Sequence, residues 1–134
     1  MNILIVEDDV VSSTILHAVL SPYGNCVVVG DGLSAVASFE AAHKNKTPYG
    51  LVCLDIMLPD LDGQEALKQI RKWERQYNIN GLDGVKIIMI TALGDNKNIM
   101  QAFRHQCEGY IVKPIRKNKV QEQLKALGLY GNRQ

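Results

Sequence analysis

Short apolar runs alternate along the chain with stretches whose apolar residues recur at helical spacing, and this alternation narrows the possible folds more than any other feature. The runs are NILIV (2–6), CVVV (26–29), LVCLD (51–55), VKIIMIT (85–91) and GYIV (109–112). They are rich in β-branched residues and mostly too continuous to present a solvent face, which predicts strands buried on both sides. Between them, Val11, Ile15, Ala18 and Val19 fit one face of a first helix. Leu33, Val36, Ala37 and Ala41, begun by the Asp31-Gly32 turn, fit a second, and Ala66, Ile70, Trp73 and Tyr77 a third. Ile99, Ala102 and Phe103 mark a fourth, and Val120, Leu124 and Leu127 a fifth that ends near Gly128. Strand–helix repeated five times with short connections requires right-handed crossovers and a parallel sheet covered on both faces. The predicted fold is therefore a three-layer, doubly wound (βα)5 sandwich of the α/β class. The longest turn-rich connection, NINGLDG (78–84), lies away from the motifs below.

At 134 residues, 46% of them hydrophobic and 22% charged, the chain fits one ordinary domain. Fifteen Lys and Arg against fourteen Asp and Glu leave a formal charge of +1, so the overall basic field of a nucleic-acid binder is missing and direct nucleic-acid contact is not expected. No apolar run approaches the ~18 residues of a membrane span, and the segment before Glu7 is too short for a signal-peptide core. The expected setting is cytoplasmic, without membrane insertion. Cys26, Cys53 and Cys107 lie far apart in or beside apolar runs, with no Cys-x-x-Cys, which predicts free and mostly buried thiols.

The ligand site of such a sheet lies beyond the carboxyl ends of its strands, near the point where strand order reverses. Glu7, Asp8 and Asp9 follow the first strand, Asp55 closes the third, Thr91 closes the fourth and Lys113 follows the fifth, so all six belong to one edge. Three adjacent carboxylates repel one another and need compensation. Asp9 is expected at the N-terminus of the first helix, where free N–H groups and the helix dipole favour a carboxylate.

At this point the chain resembles the receiver domains of two-component response regulators over almost its whole length. ILIVEDD is similar to the family's acidic opening, LDIMLPDLDG (54–63) to its phosphorylation segment, MITA (89–92) to its hydroxyl switch and YIVKPI (110–115) to its Lys-Pro loop. The resemblance implies a flavodoxin-like sheet of strand order 2-1-3-4-5, the order the chemotaxis receiver exemplifies. It implies a receiver over 1–128 with a short tail at 129–134. It also makes Asp55 the phosphoacceptor, an open strand-end carboxylate nucleophile. Asp8 becomes a direct metal ligand together with Asp55 and the main-chain carbonyl of Met57, with Glu7 acting through water. All-oxygen donors suit a hard divalent cation, Mg2+ before Ca2+, and that ion would compensate the acids. Thr91 and Lys113 would meet phosphoryl oxygens. Pro114 would follow a cis peptide, which X–Pro bonds in general adopt only about 5–6% of the time. Small Ala92 would keep the acceptor accessible, and Tyr110 would be the aromatic switch partner of Thr91.

The function so implied is acceptance of a phosphoryl group from a histidine kinase or histidine phosphotransfer protein in a Mg2+-dependent, self-directed step. A downstream protein target would then be met through the fourth helix, fifth strand and fifth helix. Only GLYGNRQ follows the fifth helix, which favours a stand-alone receiver over an excised one. Met57 and Leu93, two residues beyond the acceptor and the switch threonine, are apolar, and slow self-dephosphorylation is expected. Two other classes fit less well. A hydrolase of the haloacid-dehalogenase type needs a second acid where Met57 stands. A flavodoxin would cradle phosphate in a hydroxyl- and Gly-rich loop where EDDVV would repel it. A degenerate receiver that only binds protein, without phosphorylation, remains the alternative.

Overall fold

The computed structural model describes residues 1–131. Five strands, β1 (Asn2–Val6), β2 (Asn25–Val29), β3 (Tyr49–Asp55), β4 (Lys86–Thr91) and β5 (Gly109–Val112), form one parallel sheet in the order β2-β1-β3-β4-β5. The five helices alternate with them: α1 (Val10–Leu20), α2 (Gly32–Lys44), α3 (Gly63–Gln76), α4 (Asn96–Arg104) and α5 (Lys117–Ala126). The expected flavodoxin-like (βα)5 sandwich is the observed fold.

Strand alternation divides the core cleanly. Ile3, Ile5, Leu51, Cys53, Ile88, Ile90 and Ile111 point to one face, where Leu16 and Leu20 of α1 and Val120 and Leu124 of α5 cover them. Leu4, Val6, Val52, Leu54, Ile87 and Met89 point to the other, under Phe39 of α2, Leu67 and Ile70 of α3 and Ala102 of α4. Leu129, the first residues of the expected tail, joins the α1/α5 side; residues 132–134 of that tail lie outside the described residues.

Three expectations about faces are corrected. β2 is not buried on both sides: it is an edge strand, and Val27 and Val28 are 45% and 43% exposed. Its continuous apolar sequence looks like a central strand, but its position leaves one flank without a neighbour. On α1, Val11 is exposed and Ala18 faces solvent, whereas Ser12, Leu16, Val19 and Leu20 are buried. Nearly every position of VVSSTILHAVL tolerates burial, so the stripe has no unique phase until the Asp9 cap sets it. On α2, Gly32, Ala35 and Phe39 point inward in place of Leu33, Ala37 and Ala41. Gly32 decides this phase, because a Cβ there would collide with the Leu61 carbonyl.

The third stripe runs as expected through Ala66 and Ile70. It continues into an aromatic column in which Trp73 packs against Phe39, His43 and Tyr77, at ring separations of 5.6, 4.7 and 4.3 Å. The cysteines are free; Cys53 and Cys107 are buried and Cys26 is half-buried. Burial pushes the Cys53 thiol up to about 12 and the Cys107 thiol up to about 11, which leaves both unreactive near neutrality. Among the described residues, no helix is long and apolar enough to cross a membrane.

Candidate phosphoryl-transfer site

The register brings the strand ends to one level. Val6 pairs with Leu54, Asp55 with Ile90 and Thr91 with Val112. Glu7, Asp55, Thr91 and Lys113, each at or one step past a carboxyl end, therefore share a small volume. One carboxylate oxygen from each of Glu7, Asp8 and Asp55 lies within 4.8 Å of the others. Lys113 reaches in from the far side, with Nζ 2.8 Å from Asp55 Oδ2 and 2.9 Å from Glu7 Oε1. The first contact is an aligned hydrogen bond and the second an ion pair off the hydrogen-bond direction. Lys113 N donates to the Thr91 carbonyl at 2.8 Å, and the Lys113–Pro114 peptide is cis.

The three acids have three different settings. Glu7 is 2% exposed, and the Asp9 amide donates to its Oε2 at 3.1 Å. Burial, reinforced by the neighbouring Asp55 carboxylate, pushes Glu7 up to about 7 against the lowering pull of Lys113. Asp8 is exposed at the mouth of the cluster. Asp9 turns away and caps α1, accepting from Ser12 N at 3.0 Å and from Ser12 Oγ at 2.7 Å, as its sequence position suggested. Those bonds, the hydroxyl's first, hold its carboxyl below the usual range. Compensation of the acids is thus built partly into the protein, through Lys113 and the α1 cap. For Lys113, desolvation alone would lower the pKa, but the contacts with the Asp55 and Glu7 carboxylates outweigh it and hold the ammonium above its ordinary value.

Asp55 differs from the open strand-end carboxylate expected. It is 2% exposed, with Oδ1 accepting from Met57 N at 3.0 Å and Oδ2 held by Lys113. Thr91 is also 2% exposed, and its Oγ1 has no hydrogen-bond partner among the described residues. A buried hydroxyl without a partner costs about 1–3 kcal/mol, so it marks a position kept for something other than stability. Ala92 beside it is exposed. Tyr110 is 38% exposed on β5 and meets Phe103 of α4 edge to face at 6.1 Å. Met57 and Leu93 are 71% and 85% exposed, so neither side chain is folded over the site as a shield.

The profile of the response regulator receiver domain family matches residues 3–125. The chain belongs to the response regulator receiver domain family. It is a receiver of the two-component and phosphorelay class, with homologues in both histidine kinases and response regulators. It is 31% identical over 132 residues to probable histidine kinase 2 of Oryza sativa subsp. indica, a match covering 91% of this chain but only 12% of that much longer protein. Two solved structures are similar. The receiver domain of Ssk1 from Saccharomyces cerevisiae, crystallised with the histidine phosphotransfer protein Ypd1, is 29% identical; the match has a TM-score of 0.79 and covers 93% of this chain and 86% of that one. The receiver domain of the sensor histidine kinase PA1611 from Pseudomonas aeruginosa PAO1, solved with a magnesium ion in its active-site cleft, is 29% identical with a TM-score of 0.74, over 95% and 97% of the two chains.

Two polar residues of the receiver gave no signal that the sequence reading used. Gln64, 7% exposed, sits one residue inside α3 and donates from Nε2 to the Asn98 carbonyl of α4 at 2.7 Å. Arg71, also 7% exposed, reaches from α3 to the Gln106 carbonyl beyond the other end of α4.

Proposed function

We propose that Asp55 accepts a phosphoryl group from a histidine kinase or histidine phosphotransfer protein in the cytoplasm, and that phosphorylation changes affinity for a protein target met through α4, β5 and α5. The observation that carries this reading is the convergence on Asp55 of Lys113 at 2.8 Å and the Glu7 and Asp8 carboxylates, at the strand edge where a buried Thr91 hydroxyl has no hydrogen-bond partner among the described residues. In this reading the receiver unit spans 1–128 and residues 129–134 form a short tail. The kinship with Ssk1, solved on a phosphotransfer protein, supports the donor class.

The donors at the site are carboxylate oxygens, which fit a hard cation such as Mg2+. Asp8, Asp55 and the Met57 carbonyl would hold it, with Glu7 acting through water; bound there, it supplies positive charge against the phosphoryl oxygens. The chain's own groups do the rest. An Asp55 oxygen attacks phosphorus as the bond to the donor nitrogen breaks, giving an acyl phosphate. Lys113 passes from Asp55 Oδ2 to a phosphoryl oxygen, so its charge follows the charge that moves. The Thr91 hydroxyl donates to another phosphoryl oxygen and thereby gains the partner it lacks. Tyr110 then responds to the shift of Thr91. The step is self-directed and stoichiometric. The test is incubation with Mg2+ and acetyl phosphate: wild type is expected to gain one phosphoryl group removable by hydroxylamine, and Asp55→Asn none. Equal labelling of Asp55→Asn at another carboxylate would overturn the assignment.

The phosphorylated state is expected to be long-lived. Hydrolysis needs a water held in line with the scissile bond, and neither Met57 nor Leu93 can hydrogen-bond one. Replacing Met57 by Asn together with Leu93 by Glu should speed phosphate loss severalfold, since a well-placed polar group is worth more than that in rate. Loss is followed after donor removal, in Mg2+ and without phosphatase. A wild-type lifetime of seconds would mean that another group orders the water.

A further inference from the structure

The first turn of α3 is wedged against the acceptor. Gly63 N donates to the Ile56 carbonyl at 2.9 Å, and a Cβ on Gly63 would stand 2.1 Å from the Asp55 carbonyl oxygen. The next residue, Gln64, crosses to the start of α4, where Nε2 donates to the Asn98 carbonyl. Its Oε1 is buried and has no hydrogen-bond partner among the described residues. Arg71 and Glu74, also buried on α3, are held by ion pairs, whereas this amide is only half-satisfied beside Ala66, Leu67 and Ile70 and calls for an explanation.

The helix that Gln64 holds is weakly secured by other means. α4 has nine residues, and only Ala102 is buried. Asp9, Asp31 and Asp62 cap α1, α2 and α3 through their side chains, but Asp95 makes no such bond to α4; its carboxylate instead accepts from Asn98 Nδ2 at 2.7 Å. A helix this short, without a cap, depends on tertiary contacts. Its two ends are fastened differently. At the far end, Arg71 gives Nε and Nη2 to the Gln106 carbonyl and is itself held by Glu74 and Glu108. At the end near the site, where α4 begins five residues after Thr91, the Gln64–Asn98 bond does the fastening.

We propose that Gln64 is a latch that keeps α4 in its resting position, with the Arg71–Gln106 contact as the hinge, and that phosphorylation of Asp55 acts by releasing it. The proposal rests on the reading of Asp55 as acceptor. When Thr91 moves toward the phosphoryl group, the segment 92–95 follows, and the Asn98 carbonyl leaves Nε2. The unpartnered Oε1 then offers an acceptor to a displaced backbone N–H, so the released position is also hydrogen-bonded. Gln64 is a positioning residue: its side-chain hydrogen bond goes to α4 and not to the acceptor. The released position is the one competent to accept phosphate, so opening the latch without phosphate raises the competent fraction and with it the labelling rate.

The experiment uses Gln64→Met, which keeps volume and removes both polar atoms, with Gln64→Glu as a second variant that sets a carboxylate against the Asn98 carbonyl. Hydrogen–deuterium exchange on the unphosphorylated proteins is expected to rise at least about fivefold over 96–104 while α1, α2 and α5 stay protected, a change read without any phosphate. The rate of labelling by acetyl phosphate in Mg2+ should rise about threefold or more, and phosphorylation should add little further exchange in α4. Unchanged exchange in α4, or a rise spread over all helices, would overturn the latch. So would a loosened α4 with wild-type labelling rate and a full phosphorylation response. Failure of wild type to label at all would instead overturn the acceptor reading, and the latch with it.

Discussion

Asp8→Ala protein should stay unphosphorylated in Mg2+ and acetyl phosphate, whereas Asp9→Ala protein should label as wild type does. The two residues are neighbours of the same charge, so the contrast tests geometry rather than net charge. Asp8 is exposed and belongs to the triple of carboxylates within 4.8 Å, while Asp9 has turned its oxygens to Ser12. In the proposed reading, loss of Asp8 removes a direct cation donor and, with it, charge stabilisation worth orders of magnitude in phosphoryl-transfer rate. Loss of Asp9 removes a helix cap, so only the thermal midpoint should fall. Removing Asp8 also relieves repulsion, so the metal-free variant should melt no lower than wild type. Calorimetric titration with Mg2+ is the direct check. Trp73 is a poor reporter, since it lies ten residues past Gly63, about 15 Å of helix rise from the site end of α3. Equal loss of Mg2+ binding in the two variants would reverse the ligand order.

Arg71→Leu should lower the free energy of unfolding by about 3–5 kcal/mol, the range for removing one partner of a buried ionic group. Arg71 donates to Glu74 Oε1 at 2.7 Å and to both Glu108 oxygens at 2.8 and 3.0 Å. Glu74 also accepts from Val85 N at 2.8 Å, and Glu108 from Ile87 N at 2.6 Å. One guanidinium thus ties α3 to the beginnings of β4 and β5. Without it, a carboxylate that is 3% exposed loses its cation. The exposed pairs Glu65–Lys68 and Lys119–Glu122 should by contrast change stability by less than about 1 kcal/mol when broken. Urea unfolding of the single variants and of Arg71→Leu with Glu74→Leu measures both. The double variant is expected to lose less than the sum, because Glu74 is then no longer stranded and only Glu108 is left without its cation. A loss below about 1 kcal/mol for Arg71→Leu would mean that water reaches the network.

What the sequence made legible was whatever depends on chain order. The strands and the Asp31 and Asp9 helix starts follow from local chemistry, and the meeting of Glu7, Asp55, Thr91 and Lys113 follows from topology alone. What it hid depends on orientation. The exposure of Val27 and Val28 could not be read because an edge strand and a central strand can carry the same apolar residues. The phase of α1 was ambiguous because Val11, Ile15, Leu16 and Val19 allow several faces. Asp55 looked open, since nothing local announces that Lys113, 58 positions later, will lie against it. Polar residues on an amphipathic helix ordinarily face solvent, which hid Gln64 and Arg71. Yet Arg71 and Glu74 prolong the row through Leu67 at helical spacing, which was a usable sign that charge enters the core there.

The placement of Lys113 separates two events that many metal proteins join. Where ligands have no counter-charge of their own, folding waits for the ion, and chelation unfolds the chain. Here a tethered ammonium stands between Glu7 and Asp55, so these acids have a counter-charge that belongs to the chain itself. In the proposed reading a bound ion then serves phosphoryl transfer rather than folding, and chelation is expected to leave the melting midpoint of the chain unchanged.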